Sequence, residues 1–229
     1  MSKEIELKIR LEKAVRGKDS LNNLTIKDKK ILTDLVINYW EDSFPFKGDF
    51  ICYVAETVEG VNIKKLQDKI ISMADVEYIY EFAKNVQGAD VQKLQEAIIK
   101  NGLIRYVADF AADVQGADVQ KLQDYLIKNK RNDGMVAFQT YIFAYRVKDA
   151  NIEKLQEKVI ACGYAECIYL FAKDIKNANI DKLQKAIIET GDVDYISRFA
   201  EDVKGADKKK LMIIAREFKE NQQEQGDLV

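Results

Sequence analysis

Lys65, Lys93, Lys121, Lys154 and Lys182 each open a Lys-Leu-Gln triplet, at intervals of 28, 28, 33 and 28 residues. A degenerate sixth copy starts at Lys210, 28 residues further on. Ammonium groups at that interval could do one kind of chemistry. If successive helices stack about 10 Å apart, the row could track the phosphates of a nucleic acid. The sequence also offers a plainer role. Asp68, Glu96, Asp124 and Glu157 follow four of these lysines by three residues, the spacing of an ion pair on one helix face; Lys182, followed by Lys185, lacks that acid. The glutamines of the triplets, Gln67, Gln95, Gln123, Gln156 and Gln184, are expected to tie neighbouring repeats together by hydrogen bonds rather than to read bases.

Catalysis has little to work with. The chain has no histidine, so the commonest general base and metal ligand near neutral pH is missing. It has no glycine-rich phosphate loop, Walker lysine or nucleophile elbow. Cys162 and Cys167 lie close together without a second ligand pair, so no zinc site is expected. With Cys52 they make three cysteines, which cannot all pair within one chain and read as reduced thiols of a cytoplasmic protein. The expectation is therefore no enzyme activity, no cofactor and no metal. Tyr78, Tyr106 and Tyr195 share one repeat position and Tyr80, Tyr141 and Tyr169 another. They could stack bases, but both positions flank an apolar stripe, where a tyrosine buries its ring and keeps its hydroxyl in water.

The elements that position these residues follow from the same repeat. "GADVQKLQ" occurs at 88–95 and again at 116–123. In the unit 88–115, Asp90 is a helix N-cap, and Asn62, Asp118, Asn151, Asn179 and Asp207 hold the equivalent place. Val91, Leu94, Ile98 and Ile99 then give helical spacing, Gly102 breaks the helix, and Val107, Phe110, Ala111 and Val114 mark a second one. Gly116 follows as a left-handed C-terminal cap. Phe-Ala recurs in register at Phe82, Phe110, Phe143, Phe171 and Phe199, with Val54-Ala55 28 residues before the first.

Each unit is thus a hairpin of two short helices that bury their stripes by stacking on neighbours. The predicted fold is all-α, an α-solenoid of about six stacked helix-turn-helix hairpins; a compact bundle of the same hairpins is the alternative. The boundaries are a capping helix and linker at 1–25 and a degenerate first hairpin at 26–59. Repeats follow at 60–87, 88–115, 116–148, 149–176 and 177–204, then a capping helix and a polar tail, "KENQQEQGDLV", expected to fray, at 205–229. The pattern resembles the short HEAT-like repeats over roughly residues 26–215 and lacks the tetratricopeptide and ankyrin signatures. That resemblance implies scaffolding or binding and carries no catalytic residue across.

The bulk numbers agree. A chain of 229 residues, 47% hydrophobic and 32% charged, can bury a core as one extended domain or two compact ones. A net charge of −2 gives no global attraction to nucleic acid or anionic membrane. The amino-terminal segment reads as an amphipathic helix capped by Ser2, not as a signal peptide or membrane span.

Departures from the repeat say more about function than the repeat does, because stacking accounts for whatever recurs. From the second isoleucine of the first helix to the Phe-Ala position is 11 residues in a regular unit. It is 17 in the first hairpin and 16 in the third complete one. Both insertions fall in the turn within the hairpin and are expected to project from one edge. The first, "YWEDSFPFKGD", holds Trp40, Phe44 and Phe46, either a lid over the first hairpin or an aromatic anchor for a partner. The second, "NKRNDG", is basic and contains Arg131.

On the second helices, an outer stripe that reads Glu77, Glu81, Lys84 in the first complete unit and Arg105, Asp109, Ala112 in the second becomes Phe138, Ile142, Tyr145 in the third, continued by Leu170 in the fourth. A contiguous apolar patch there marks an interaction site, unless the insertion covers it or it closes a homodimer. The expected function is a protein-binding solenoid, an inhibitor or adaptor, with another protein as partner and no membrane association. The size, the Lys, Ile, Asn and Tyr bias of AT-rich codons and the lack of catalytic chemistry fit an inhibitor from a phage or other mobile element directed at a host defence protein, as anti-CRISPR proteins are. The alternative is a nucleic-acid binder using the lysine row.

Overall fold

The structure, a computed structural model, describes residues 2–17, 21–38, 47–102 and 104–226, with side chains through residue 223. Among the described residues there are fourteen helices and no strand. Helix α1 (Lys3–Val15) precedes six hairpins: α2 (Ile26–Asn38) with α3 (Lys47–Thr57), α4 (Ile63–Met73) with α5 (Val76–Asn85), and α6 (Val91–Lys100) with α7 (Val107–Asp113). These are followed by α8 (Val119–Lys128) with α9 (Gly134–Arg146), α10 (Ile152–Cys162) with α11 (Ala165–Asp174), and α12 (Ile180–Glu189) with α13 (Val193–Asp202). Helix α14 (Lys208–Gly226) comes last.

The helices start where short polar side chains satisfy their free N–H groups. Ser2 accepts from the Ile5 amide. Asn62, Asp90, Asn151, Asn179 and Asp207 accept from the amides of Lys65, Lys93, Lys154, Lys182 and Lys210 at 3.0–3.1 Å. Thr25 and Asp28 form a reciprocal capping box, each backbone amide donating to the other's side chain at 3.1 Å. Between hairpins the chain turns through a left-handed residue, Gly60, Gly88, Gly116 and Gly205 at four of these turns and Asp149 and Asn177 at two.

The chain divides into two compact units, Met1–Tyr106 with Asp113–Asp118 and Val107–Ala112 with Val119–Val229, the change falling inside α7. In the first unit α2, α4 and α6 form one row and α3 and α5 another; α2 packs on α3 and α4 on α5, neighbours within each row touch, α6 also packs on α5, and α1 lies against α2 and α3. The second unit repeats this with rows α8, α10, α12 and α9, α11, α13, and α14 packs on α13. Each unit is a two-layered, solenoid-like stack of helical hairpins. Phe82, Phe110, Phe143, Phe171 and Phe199, with Leu66, Leu94, Leu122, Leu155, Leu183 and Leu211, have no exposed surface. Burying one such side chain stabilises by about 1.5–3 kcal/mol.

Two expectations are corrected. The "KENQQEQG" segment is not a frayed tail but the end of α14, which runs to Gly226; its Lys, Glu and Gln residues are good helix formers, and no glycine or proline intervenes before Gly226. Arg105 stands in the turn before α7 rather than on its outer stripe, because α7 begins only at Val107.

Candidate partner-binding surface

The glutamine that recurs in each Lys-Leu-Gln triplet joins one hairpin to the next. The Oε1 atoms of Gln67, Gln95, Gln123, Gln156 and Gln184 accept the backbone N–H of Asp90, Asp118, Asn151, Asn179 and Asp207 at 2.7–2.8 Å. The lysine row is engaged in the same way. The expected pairs within one helix give way to pairs between helices: Lys65 with Asp34 at 3.5 Å, Lys93 with Asp68 at 2.5 Å and Lys182 with Glu157 at 3.6 Å. The first turn of one helix lies beside the second turn of its predecessor, so Asp68 and Glu157 meet the next unit's lysine, while Asp124 pairs with Lys128 of its own helix. Lys154 likewise helps to hold Asp124 below its usual pKa, behind Lys128 and Gln120.

A second network joins the outer row. Tyr80 and Tyr141 are buried, and their hydroxyls donate to Asp113 and Asp174 of the next hairpin at 2.7 and 2.8 Å; Tyr169 donates likewise to Asp202. The hydroxyls expected in water are therefore bonded to carboxylates. The ammonium groups of Lys84 and Lys173 donate to Tyr80 and Tyr169 at 2.9 and 2.8 Å and pair with the same aspartates at 3.5 and 3.0 Å. Burial and the Asp174 bond push the Tyr141 hydroxyl well above its usual range. The aspartates were missed in the sequence, although Tyr and Asp recur 33 residues apart three times.

Where α5 and α11 carry those lysines, α9 carries Tyr145. Its ring lies 6.0 Å from that of Tyr141, which is 6.2 Å from Phe138. Phe138 and Tyr145 are 44% and 61% exposed, Met135 is 44% exposed, and Ile142 is half-buried. Met135, Phe138, Ile142 and Tyr145 follow i, i+3, i+7, i+10 spacing, an apolar ridge about 15 Å long on one face of the helix. Leu170, half-buried, stands at the place of Ile142 on the adjacent helix α11.

The second insertion reaches the same helix. The Arg131 guanidinium pairs with Asp133 at 2.6 Å, and Asp133 Oδ1 caps α9 by accepting from the Val136 amide at 3.0 Å. That cap, with Arg131, holds the Asp133 carboxyl below its ordinary range. The loop does not simply project, because Lys158 of α10 bonds it from below. Trp40, Phe44 and Phe46 of the first insertion lie outside the described residues.

Burial pushes the Cys52 and Cys167 thiols up to about 12 and raises that of Cys162, so these groups stay protonated near neutral pH. Among the described residues no three His, Cys, Asp or Glu side chains converge on a metal position, and no helix is long and apolar enough to cross a membrane. The class that fold and surface define is an all-α protein of helical hairpins, with an apolar ridge on α9 of the second unit. Comparison with protein-family models, curated proteins and solved structures finds no match for the chain.

Proposed function

We propose that the chain is a non-enzymatic protein-binding module, an inhibitor or adaptor, whose partner docks on the α9 ridge. The observation that carries this reading is the replacement of a polar stripe by Phe138, Ile142 and Tyr145, with Phe138 and Tyr145 exposed. Stacking does not require it, since α5 fills the same three places with Glu77, Glu81 and Lys84. The likeness to HEAT-like repeats supports the reading at the level of architecture.

The charges around the ridge favour an acidic partner surface bearing apolar side chains. Residues 128–148 hold five Lys or Arg and one Asp, whereas the whole chain is −2; Lys128, Arg131 and Arg146 are paired with Asp124, Asp133 and Asp109, so Lys130 and Lys148 carry the excess. Helix α9 has no acid, while α3, α5, α7, α11 and α13 each have at least two. Such a basic rim steers an acidic surface into contact and fixes its register. A target within a host defence system, as for an anti-CRISPR protein, agrees with an amino-acid composition rich in Lys, Ile, Asn and Tyr. The nucleic-acid alternative draws less support, because Lys65, Lys93 and Lys182 are each compensated by a carboxylate.

The test uses the full chain as bait in its source cell, followed by affinity measurement with the purified partner. The variant Phe138→Glu/Ile142→Glu/Tyr145→Lys writes the α5 stripe onto α9 and is expected to fold. Loss of an aromatic anchor costs about 2 kcal/mol or more, so affinity should fall at least about 30-fold. A folded variant with full affinity overturns the reading. Concentration-dependent dimerisation abolished by the variant would assign the ridge to a second copy, and salt-sensitive binding of a single-stranded oligonucleotide would favour the alternative.

A further inference from the structure

Lys158 is a buried lysine with no carboxylate among its hydrogen-bond acceptors. It lies on α10 with 7% of its surface exposed. Its ammonium donates to the carbonyl of Asn129 at 2.6 Å, to the carbonyl of Arg131 at 3.0 Å and to Asn132 Oδ1 at 2.8 Å. An ammonium has three donors, and each has an acceptor here, which is what makes burying the charge tolerable. The acceptors stand just past the end of α8, where the helix dipole adds negative potential. The loop is also tied to itself: the Arg131 amide donates to Asn129 Oδ1 at 2.9 Å, and the Arg131 side chain reaches Asp133 at the start of α9. One turn beyond Lys158, the buried thiol of Cys162 lies 3.9 Å from Asn132 Oδ1.

The repeat supplies an independent observation. Lys158 stands four residues after the triplet lysine, and units that follow an uninterrupted hairpin carry Ala97, Tyr125 and Ala186 there or, in the degenerate last copy, Ile214. Lysine recurs at this place once more, as Lys69, in the unit that follows the other insertion-bearing hairpin. A small or apolar residue suffices against a short turn. A long cationic one accompanies the extra carbonyl groups that an insertion brings.

We propose that Lys158 is a latch that fixes the 129–133 loop on α10. The latch sets Arg131 and the first turn of α9 against α10. It goes beyond the binding function proposed above and stands whether or not a protein docks on the ridge.

The full chain with Lys158→Met keeps the stem and removes the three donors. Limited trypsin digestion after Lys130 and Arg131 should then run at least about tenfold faster, as a locally opened segment allows. Iodoacetamide should alkylate Cys162 faster while Cys167 and the helical circular dichroism stay unchanged. Lys154→Met, on the exposed side of α10, should change neither rate. A folded Lys158→Met protein with wild-type cleavage and alkylation rates overturns the latch. If that variant does not fold, Asn132→Ala removes one acceptor from outside the core: faster cleavage supports the latch, and an unchanged rate overturns it.

Discussion

Gln123 Oε1 and the Asn151 amide meet at 2.7 Å across 28 residues, while the equivalent glutamine bonds span 23. The five extra residues of the insertion leave the stack undisturbed, because they lie at the hairpin edge. Gln123 is buried, so its loss leaves the Asn151 amide without this acceptor. Gln123→Leu should therefore destabilise by about 1–3 kcal/mol, measured by urea unfolding. An unchanged midpoint would show that the glutamines do not hold the hairpins together.

Ala74 closes α4 in the left-handed region, at φ 55°, where Gly102, Gly163 and Gly191 close the equivalent helices. An alanine there is strained by about 1 kcal/mol. Ala74→Gly should raise stability by up to about that amount, less the entropy glycine adds to the unfolded chain. A lower melting temperature would contradict the assignment.

Tyr145→Lys alone should restore the network seen at Lys84 and Lys173, placing an ammonium between the Tyr141 hydroxyl and Asp174. Stability should stay within about 1 kcal/mol of wild type, as for other surface ion pairs, while partner affinity falls. An unfolded product would mean that Tyr145 serves packing rather than docking.

Asp28, Asp124, Asp133 and Asp202 are held below the ordinary value of 3.8, first by the Thr25 amide, Lys128, the Val136 amide and the Tyr169 hydroxyl respectively. Such groups bind fewer protons folded than unfolded, so their stabilisation is full above the unfolded pKa and is lost as pH falls through the folded one. The urea midpoint should hold from neutral pH to about pH 4 and drop below it. Tyr169→Phe should lessen the acid-side loss by removing the first support of Asp202. A midpoint that rises on acidification would reverse the sign.

Much of the fold was legible because a repeat writes its local rules several times over. N-caps, left-handed turns and the Phe and Leu stripes are short-range chemistry, and each recurred in register. The glutamine bonds were legible for the same reason. The lysine pairs were misassigned because sequence spacing shows the acid three residues away, not the one beside it on the neighbouring helix. The outer stripe of α9 could be picked out as a departure, but its exposure depends on what packs over it.

The sequence by itself determined that the chain is helical, where its hairpins begin and end, and which side chains form their cores, because capping and periodicity act within a few residues. Tertiary structure alone decided which carboxylate each lysine and tyrosine meets, that Lys158 lies under the insertion, and that Phe138 and Tyr145 remain in water. Those outcomes depend on distances between residues 23 to 33 positions apart, which are set by how one hairpin lies on the next.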